Sequence, residues 1–182
     1  MAAFFRFLLT LFFGWDRYPT KNLLDRVTTR HRVRFGDLDL NWHVNNARYL
    51  SYLDSARLEH SIRTGVFGVF RRKQNFLVAN IAISYYRSLL PRQHFEIDTR
   101  IVGWDDRYYY IEHAFRVGDT IYSHAWARLV FTEKGKRVAP GLVLSPLNHD
   151  EPSPPLPEGV LHWQAMFAAN RADSAPENKK AA

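Results

Sequence analysis

The sequence of 182 residues contains no cysteine. Disulfides, thiolate catalysis and thiolate metal sites are therefore excluded, and a reducing compartment is the natural expectation. Any covalent nucleophile has to be a carboxylate, a hydroxyl or an amine. The sequence also lacks a Gly-rich phosphate loop and a Gly-x-Ser-x-Gly elbow, which disfavours a serine hydrolase of the α/β type.

The apolar run at residues 2–13 is too short to cross a membrane. As a helix it would be about 18 Å long, against roughly 30 Å of bilayer hydrocarbon. The following Gly14-Trp15-Asp16-Arg17 offers no cleavage site for a secretory signal. Two interpretations stay open: an arm packed on the domain or on a partner subunit, or an anchor on a membrane surface. We expect a cytoplasmic protein, with membrane association through this arm left open.

The net charge of +7 favours anionic partners, such as nucleic acid, the phosphates of a coenzyme A thioester, or an acidic carrier protein. The basic residues are dispersed, however, with no run longer than three. Dispersed arginines support a solvated surface at least as well as a nucleic-acid interface. We therefore expect no nucleic-acid partner.

Residues 26–139 have the pattern of one α+β domain. A short alternating strand precedes a helical pattern from about Asn46 to Thr64, which Gly65 ends, and four strand patterns follow at residues 76–86, 94–104, 108–117 and 121–131. The first of these four is nearly continuous apolar, which predicts a strand buried on both faces. Asp105-Asp106 and Gly118-Asp119 predict tight turns between the later strands. The helix has one predicted apolar stripe, composed of Ala47, Leu50, Leu53, Ala56 and His60. Tyr49, Tyr52 and Leu58 are predicted to widen this apolar surface, as expected if a curved sheet wraps the helix.

The flanking regions differ from this domain in composition. Residues 1–25 form the apolar arm and a connector, and residues 140–173 form a Pro-rich extension with a short helix predicted over residues 158–170. The small and charged residues 174–182 predict a disordered tail.

The candidate site is the polar loop before the long helix, where Asp39, Asn41 and His43 occupy alternate positions. Unpaired N–H groups and a partial positive charge at a helix start suit an acyl group with a developing oxyanion. A carboxylate, an amide and an imidazole can act there as base or nucleophile and as orienting groups. A polar loop that merely caps the helix, with Asn45 or Asn46 as the N-cap, is the alternative interpretation.

Two metal hypotheses fail on spacing. The alternate acidic and amide residues imitate the opening of a calcium loop, but Trp42 and Arg48 occupy the positions where that loop needs glycine and an acid. The remaining histidines show no paired ligand spacing, so no metal site is expected. Asp54 and Arg57, three apart on the helix, are predicted to form an ion pair.

The loop and the helix start resemble the hotdog-fold thioesterases of the 4-hydroxybenzoyl-CoA thioesterase type. The resemblance is carried by Arg34-Phe35-Gly36-Asp37-Leu38-Asp39, His43-Val44-Asn45-Asn46 and Tyr49-Leu50. Asp39-Leu40-Asn41-Trp42-His43 is also similar to the catalytic Asp-x-Asn-x-His motif of acyl-acyl-carrier-protein thioesterases. Gly103-Trp104-Asp105-Asp106-Arg107 and His162-Trp163 extend the resemblance towards the member-six-like proteins of the thioesterase superfamily, which share His43 but vary at Asn41.

The resemblance implies a hotdog domain, in which a five-stranded antiparallel sheet wraps around one long central helix. It implies hydrolysis of an acyl-CoA or acyl-carrier-protein thioester by a homodimer or higher homo-oligomer, with no cofactor and no metal. Asp39 takes the place of the catalytic aspartate, with His43 and Asn41 beside it. The Asn46 N–H would polarise the thioester carbonyl, and Asn45 and Tyr49 are further candidates for the oxyanion or substrate contact.

Two other functions remain as alternatives within the same fold. A hotdog protein that binds acyl-CoA or an acyl carrier without turnover would keep the loop and lose the chemistry. A hotdog hydratase or dehydratase resembles Asp-x-Asn-x-x-His, which is one residue longer than the spacing from Asp39 to His43, so this function is disfavoured.

Overall fold

The computed structural model describes residues 21–173, which contain six strands and three helices. The strands are β1 Val27–Arg32, β2 Gln74–Tyr85, β3 His94–Trp104, β4 Tyr109–Val117, β5 Thr120–Glu133 and β6 Lys136–Val138. The helices are α1 Asn46–Arg63, α2 Pro140–Leu144 and α3 Glu158–Asp173. The predicted α+β class is confirmed, and β6 is a strand beyond the five predicted.

The strands form one antiparallel sheet in the order β1-β3-β4-β5-β2, with β6 paired to the end of β5. At the turn between β3 and β4, Asp105 Oδ1 accepts hydrogen bonds from the N–H groups of Arg107 and Tyr108, at 2.8 and 2.7 Å. In the β4–β5 hairpin Gly118 has a φ of 58°, a conformation that glycine adopts without strain. Both predicted turns are confirmed.

Helix α1 begins and ends close to where its sequence signals indicate. The Asn45 side chain caps the helix by accepting a hydrogen bond from the Ala47 N–H at 2.9 Å. At the other end the Thr64 N–H donates to the His60 carbonyl, and Gly65 follows with a φ of 81°. Local capping chemistry is therefore enough to define this element.

The buried face of α1 differs from the predicted stripe. Ala47 and Leu50 are exposed, whereas Tyr49 and Tyr52 are buried and pack in one cluster with side chains of β3, β4 and β5. Leu53, Ala56 and His60 are buried as predicted. The predicted widening of the apolar surface by Tyr49 and Tyr52 is confirmed. The centre of the buried face lies nearer to these tyrosines than predicted, because their large rings bury more apolar surface than alanine or leucine.

Strand β2 is an edge strand, and the prediction that it is buried on both faces is wrong for the single chain. Only β5 pairs with it among the described strands, and Leu77, Val78 and Tyr85 are exposed. A continuous apolar pattern is typical of a strand with both faces covered. No second strand within residues 21–173 pairs with the outer edge of this one.

The C-terminal part crosses the sheet on the face opposite α1. Gly103 has a φ of 146°, and a β-carbon there would lie 2.8 Å from Leu156 Cδ2 and 2.9 Å from Ser153 Oγ, so only glycine fits. Ser153 Oγ accepts the Trp104 N–H at 2.7 Å. Helix α3 then packs Val160, with Trp163, against Val102 and Tyr110.

The predictions for the apolar arm at residues 2–13 and for the tail at residues 174–182 lie outside the described residues. Between residues 21 and 173, no helix is long and apolar enough to cross a membrane.

Candidate active site

The loop between β1 and α1 folds back on itself as a closed turn. The Asp39 N–H donates to the His43 carbonyl at 2.8 Å, and the Trp42 N–H donates to the Asp39 carbonyl at 3.1 Å. Leu38 and Val44 form an antiparallel bridge across the base of the turn. Trp42 adopts a φ of 60°, which is rare for a bulky residue and marks local strain. The turn therefore holds Asp39 beside His43, directly ahead of the helix.

The Asp39 carboxylate is fixed through one of its two oxygens. Asp39 Oδ1 accepts hydrogen bonds from the backbone N–H groups of Asn41 at 2.8 Å and His43 at 3.3 Å. Within residues 21–173, no donor occupies Asp39 Oδ2. The structure thus brings together the Asp39 side chain and the backbones of Asn41 and His43. Their own side chains make no hydrogen bond to Asp39; that of Asn41 is exposed and that of His43 half-buried.

The start of α1 leaves one N–H group available beside this loop. The Asn45 side chain binds the Ala47 N–H, and the Asn45 carbonyl accepts the Arg48 N–H at 2.8 Å. The Asn46 N–H has no acceptor in the described part of the chain. A free N–H at the positive end of an 18-residue helix favours a partial negative charge placed against it. Asn45 therefore serves as the cap, and Asn46 offers the donor.

Tyr49 lies in the core, where no substrate can reach its ring in this structure. Burial raises the pKa of its phenol, and its ring meets that of Tyr85 edge-on with centroids 4.9 Å apart. Tyr85, at the end of β2, donates its hydroxyl to the Asn46 carbonyl at 3.4 Å, and burial raises its pKa as well. Sequence reasoning missed Tyr85, because nothing local links the end of β2 to the start of a helix 39 residues earlier.

Asp37 holds the base of the loop. Its Oδ2 accepts hydrogen bonds from the Arg34 N–H at 2.9 Å and from the Tyr52 hydroxyl at 2.6 Å. Its carbonyl accepts the Asn45 N–H at 2.8 Å. The side chain is largely buried, so Asp37 ties β1, the loop and α1 together, while Asp39 stays accessible.

Comparisons with known proteins identify the family. Residues 33–164 match a family model described as the thioesterase-like superfamily. The chain belongs to the thioesterase-like superfamily. Among its relatives, Protein THEM6 of Danio rerio is 33% identical over 168 residues, which cover 88% of this chain and 82% of that protein. Protein THEM6 of Xenopus laevis is 36% identical over 146 residues, which cover 79% of this chain and 69% of that protein. The resemblance found in the loop and helix is thereby confirmed.

Solved structures of thioesterases share the fold. The probable thioesterase YbaW of Escherichia coli superposes with a TM-score of 0.62 at 24% identity, over 66% of this chain and 94% of that one. A thioesterase of Thermus thermophilus, complexed with coenzyme A and Zn, has a TM-score of 0.56 at 30% identity. The match covers 62% of this chain and 89% of that one. The superfamily member described here thus has the hotdog fold that its sequence predicts.

Proposed function

We propose that the protein hydrolyses acyl thioesters and that acyl-CoA is its substrate. The observation that carries this proposal is the Asp39 carboxylate, which has one oxygen held by two backbone N–H groups and the other open. It stands next to a helix start with an unused N–H at Asn46. A base and an oxyanion donor in one corner are the two parts that acyl transfer to water requires.

In the proposed reaction Asp39 Oδ2 removes a proton from water as the water oxygen attacks the thioester carbon. The carbonyl oxygen becomes an oxyanion, which accepts the Asn46 N–H and benefits from the helix dipole. Collapse of this tetrahedral intermediate breaks the C–S bond, and the proton passes from Asp39 to the thiolate sulfur. The products are a carboxylic acid and a thiol. Direct attack by Asp39 through a mixed anhydride is the other route, and transfer of ¹⁸O from labelled water into Asp39 would reveal it.

The neighbouring residues act by positioning these two groups. Asn41 and His43 orient the carboxylate through their backbone N–H groups, and the His43 side chain is the candidate to orient the water. Asn45 fixes the first turn of the helix by accepting the Ala47 N–H, which leaves the Asn46 N–H without an acceptor in the described chain. Tyr49 supports Tyr85, which in turn holds the Asn46 carbonyl.

One observation favours acyl-CoA over an acyl-carrier protein, and the net charge is compatible with both. The Thermus thermophilus neighbour is described as a complex with coenzyme A, and the net charge of +7 suits the phosphates of that coenzyme. An acidic carrier protein would also suit this charge, so a direct comparison of the two thioesters decides between them.

We also propose a homodimer joined through β2. This edge strand of 12 residues contains no charged residue and no proline, which are two of the devices that protect a sheet edge from pairing. Its exposed Leu77, Val78 and Tyr85 would be buried by a second copy that continues the sheet.

The experiment that tests the function follows thiol release from acyl-CoA of short to long chains and from the matching acyl-carrier proteins. Hydrolysis of acyl-CoA at the higher kcat/KM supports the proposal. A non-catalytic acyl-binding protein would instead bind acyl-CoA in equilibrium dialysis and release no thiol. That result would overturn the enzymatic assignment while leaving the fold and the family unaffected.

A further inference from the structure

The loop that carries Asp39 also presents the most exposed apolar side chains around the site. Leu40 is 99% exposed, Trp42 is 65% exposed and Phe35 is 62% exposed. Leu90 is exposed too, next to Leu89, whose carbonyl accepts the Val44 N–H at 3.0 Å. Apolar side chains grouped on a surface mark a place where something else binds. We call Phe35, Leu40, Trp42 and Leu90 the loop patch.

The loop patch is held outward by an ordered backbone. Leu40 and Trp42 lie on the closed turn, whose ends are joined by the two Asp39–His43 and Trp42–Asp39 backbone hydrogen bonds and by the Leu38–Val44 bridge. The left-handed backbone of Trp42 is a strained conformation for this residue type. The exposure of these tips is therefore a property of the folded loop.

Exposed arginines lie beside Phe35 of the loop patch. Arg92 lies over the Phe35 ring at 5.4 Å, and its carbonyl accepts the Arg32 Nε–H at 3.2 Å. Arg34 precedes Phe35 and is exposed as well. Tryptophan and leucine tips with arginines beside them match a lipid surface that carries anionic headgroups, because the rings enter the interface while the guanidinium groups stay with the phosphates.

The loop patch lies at one end of α1, and the described chain begins at the other. The Lys21 N–H donates to the Arg63 carbonyl, so the described chain begins beside the last residue of the helix. The loop patch lies at the first residues of the same helix, about 27 Å away. A probe attached to the loop patch therefore reports lipid contact at the start of α1.

We propose that the loop patch docks on an anionic lipid surface and brings the mouth of the Asp39 site to the membrane. Leu40 and Trp42 enter the headgroup region, and Arg32, Arg34 and Arg92 bind lipid phosphates. A long-chain acyl thioester held in the membrane would then reach Asp39 without crossing water. Docking itself does not require hydrolysis, so this inference stands or falls independently of the proposed activity.

The absence of cysteine allows a clean test with one nitroxide per molecule. Leu40→Cys in the full chain carries the label at the loop patch, and Leu142→Cys is the matched control, because Leu142 is 73% exposed on α2. Both are mixed with vesicles of phosphatidylcholine and phosphatidylserine. We expect the label at residue 40 to lose access to a water-soluble relaxation agent and to gain access to oxygen, while the label at residue 142 stays unchanged.

Three results would overturn the inference. The chain fails to bind the vesicles, or it binds them while the label at residue 40 stays in water, which assigns binding to another surface. Protection of that label by dimerisation or by coenzyme A without vesicles shows a second copy or a ligand on the patch. As a further measurement, Trp42→Ser is expected to lower the vesicle-bound fraction several-fold, and Leu142→Ser to leave it unchanged.

Discussion

At the scale of single residues, Asp37 and Asp39 show how position separates two identical side chains. Both belong to the same alternating polar pattern, and only the resemblance to the Asp-x-Asn-x-His motif singles out Asp39 in the sequence. The structure gives Asp37 the Tyr52 hydroxyl as a partner from α1, whereas Asp39 receives only backbone N–H groups of its own loop. We therefore propose that Asp37 contributes to stability and Asp39 to chemistry.

Asp37→Asn is expected to lower the free energy of unfolding by about 1–2 kcal/mol, because hydrogen bonds to a charged acceptor are stronger than those to a neutral one. Urea unfolding measures this change. Asp119→Asn in the exposed β4–β5 turn is the matched control and should stay within about 0.5 kcal/mol of the wild type. Equal stability of the two variants would contradict the role given to Asp37.

His60 makes the fold sensitive to acid. Burial lowers the pKa of His60 to about 4, with a smaller opposing contribution from its hydrogen bond to the Asp25 backbone. Because an unfolded histidine titrates near 6.5, the unfolded chain binds the proton first as the pH falls. The stabilisation from neutral His60 is thus complete above about pH 6.5 and is lost towards about pH 4.

The corresponding prediction compares the wild type with His60→Asn, which keeps a donor but does not titrate. Between pH 7 and pH 5 the free energy of unfolding of the wild type should fall by about 2 kcal/mol more than that of the variant. Urea unfolding at the two pH values measures this difference. Parallel losses in both proteins would show that His60 does not carry the effect.

At the scale of elements, the sequence predicted what local chemistry controls. Asn45 and Gly65 bound the helix, and Gly118 defines the hairpin, because caps and left-handed turns depend on neighbouring residues only. The rotation of α1 was beyond the local pattern, since it depends on how Tyr49 and Tyr52 pack against the sheet. Tyr85 could not be placed for the same reason.

The cap of α1 gives a direct prediction at this scale. Asn45→Ala removes the acceptor of the Ala47 N–H and should cost about 1 kcal/mol of unfolding free energy. Asn45→Asp keeps an acceptor at the helix start and should retain most of that stability. Chemical denaturation of the two variants measures the difference. Equal free energies of unfolding for Asn45→Ala and Asn45→Asp would show that the cap does not stabilise the helix.

At the scale of the whole molecule, the apolar pattern of β2 predicts more burial than the single chain provides. Its continuous apolar run predicts burial on both faces, while the single chain leaves its outer edge open. In the proposed dimer a second β2 would pair with that edge and continue the sheet. A single sequence carries no mark that distinguishes burial within a chain from burial between chains.

Leu77→Lys should therefore weaken the proposed dimer, since a charge on the open edge disfavours pairing. Light scattering after size-exclusion chromatography is expected to show a fall from twice 21.3 kDa towards 21.3 kDa. Leu142→Lys, at an exposed position on α2, is the control and should keep the wild-type mass. A wild-type mass of one chain would refute the dimer directly.

The proposed hydrolysis depends most on Asp39 as the proton-transfer group. Its most direct test is kcat/KM for thiol release from the best acyl-CoA, measured with the wild type, Asp39→Asn and the control Asp119→Asn. Asparagine keeps the acceptor for the loop N–H groups, so the fold should persist while activity falls by about 100-fold or more. Asp119→Asn should match the wild type. Wild-type turnover by a folded Asp39→Asn would contradict the account.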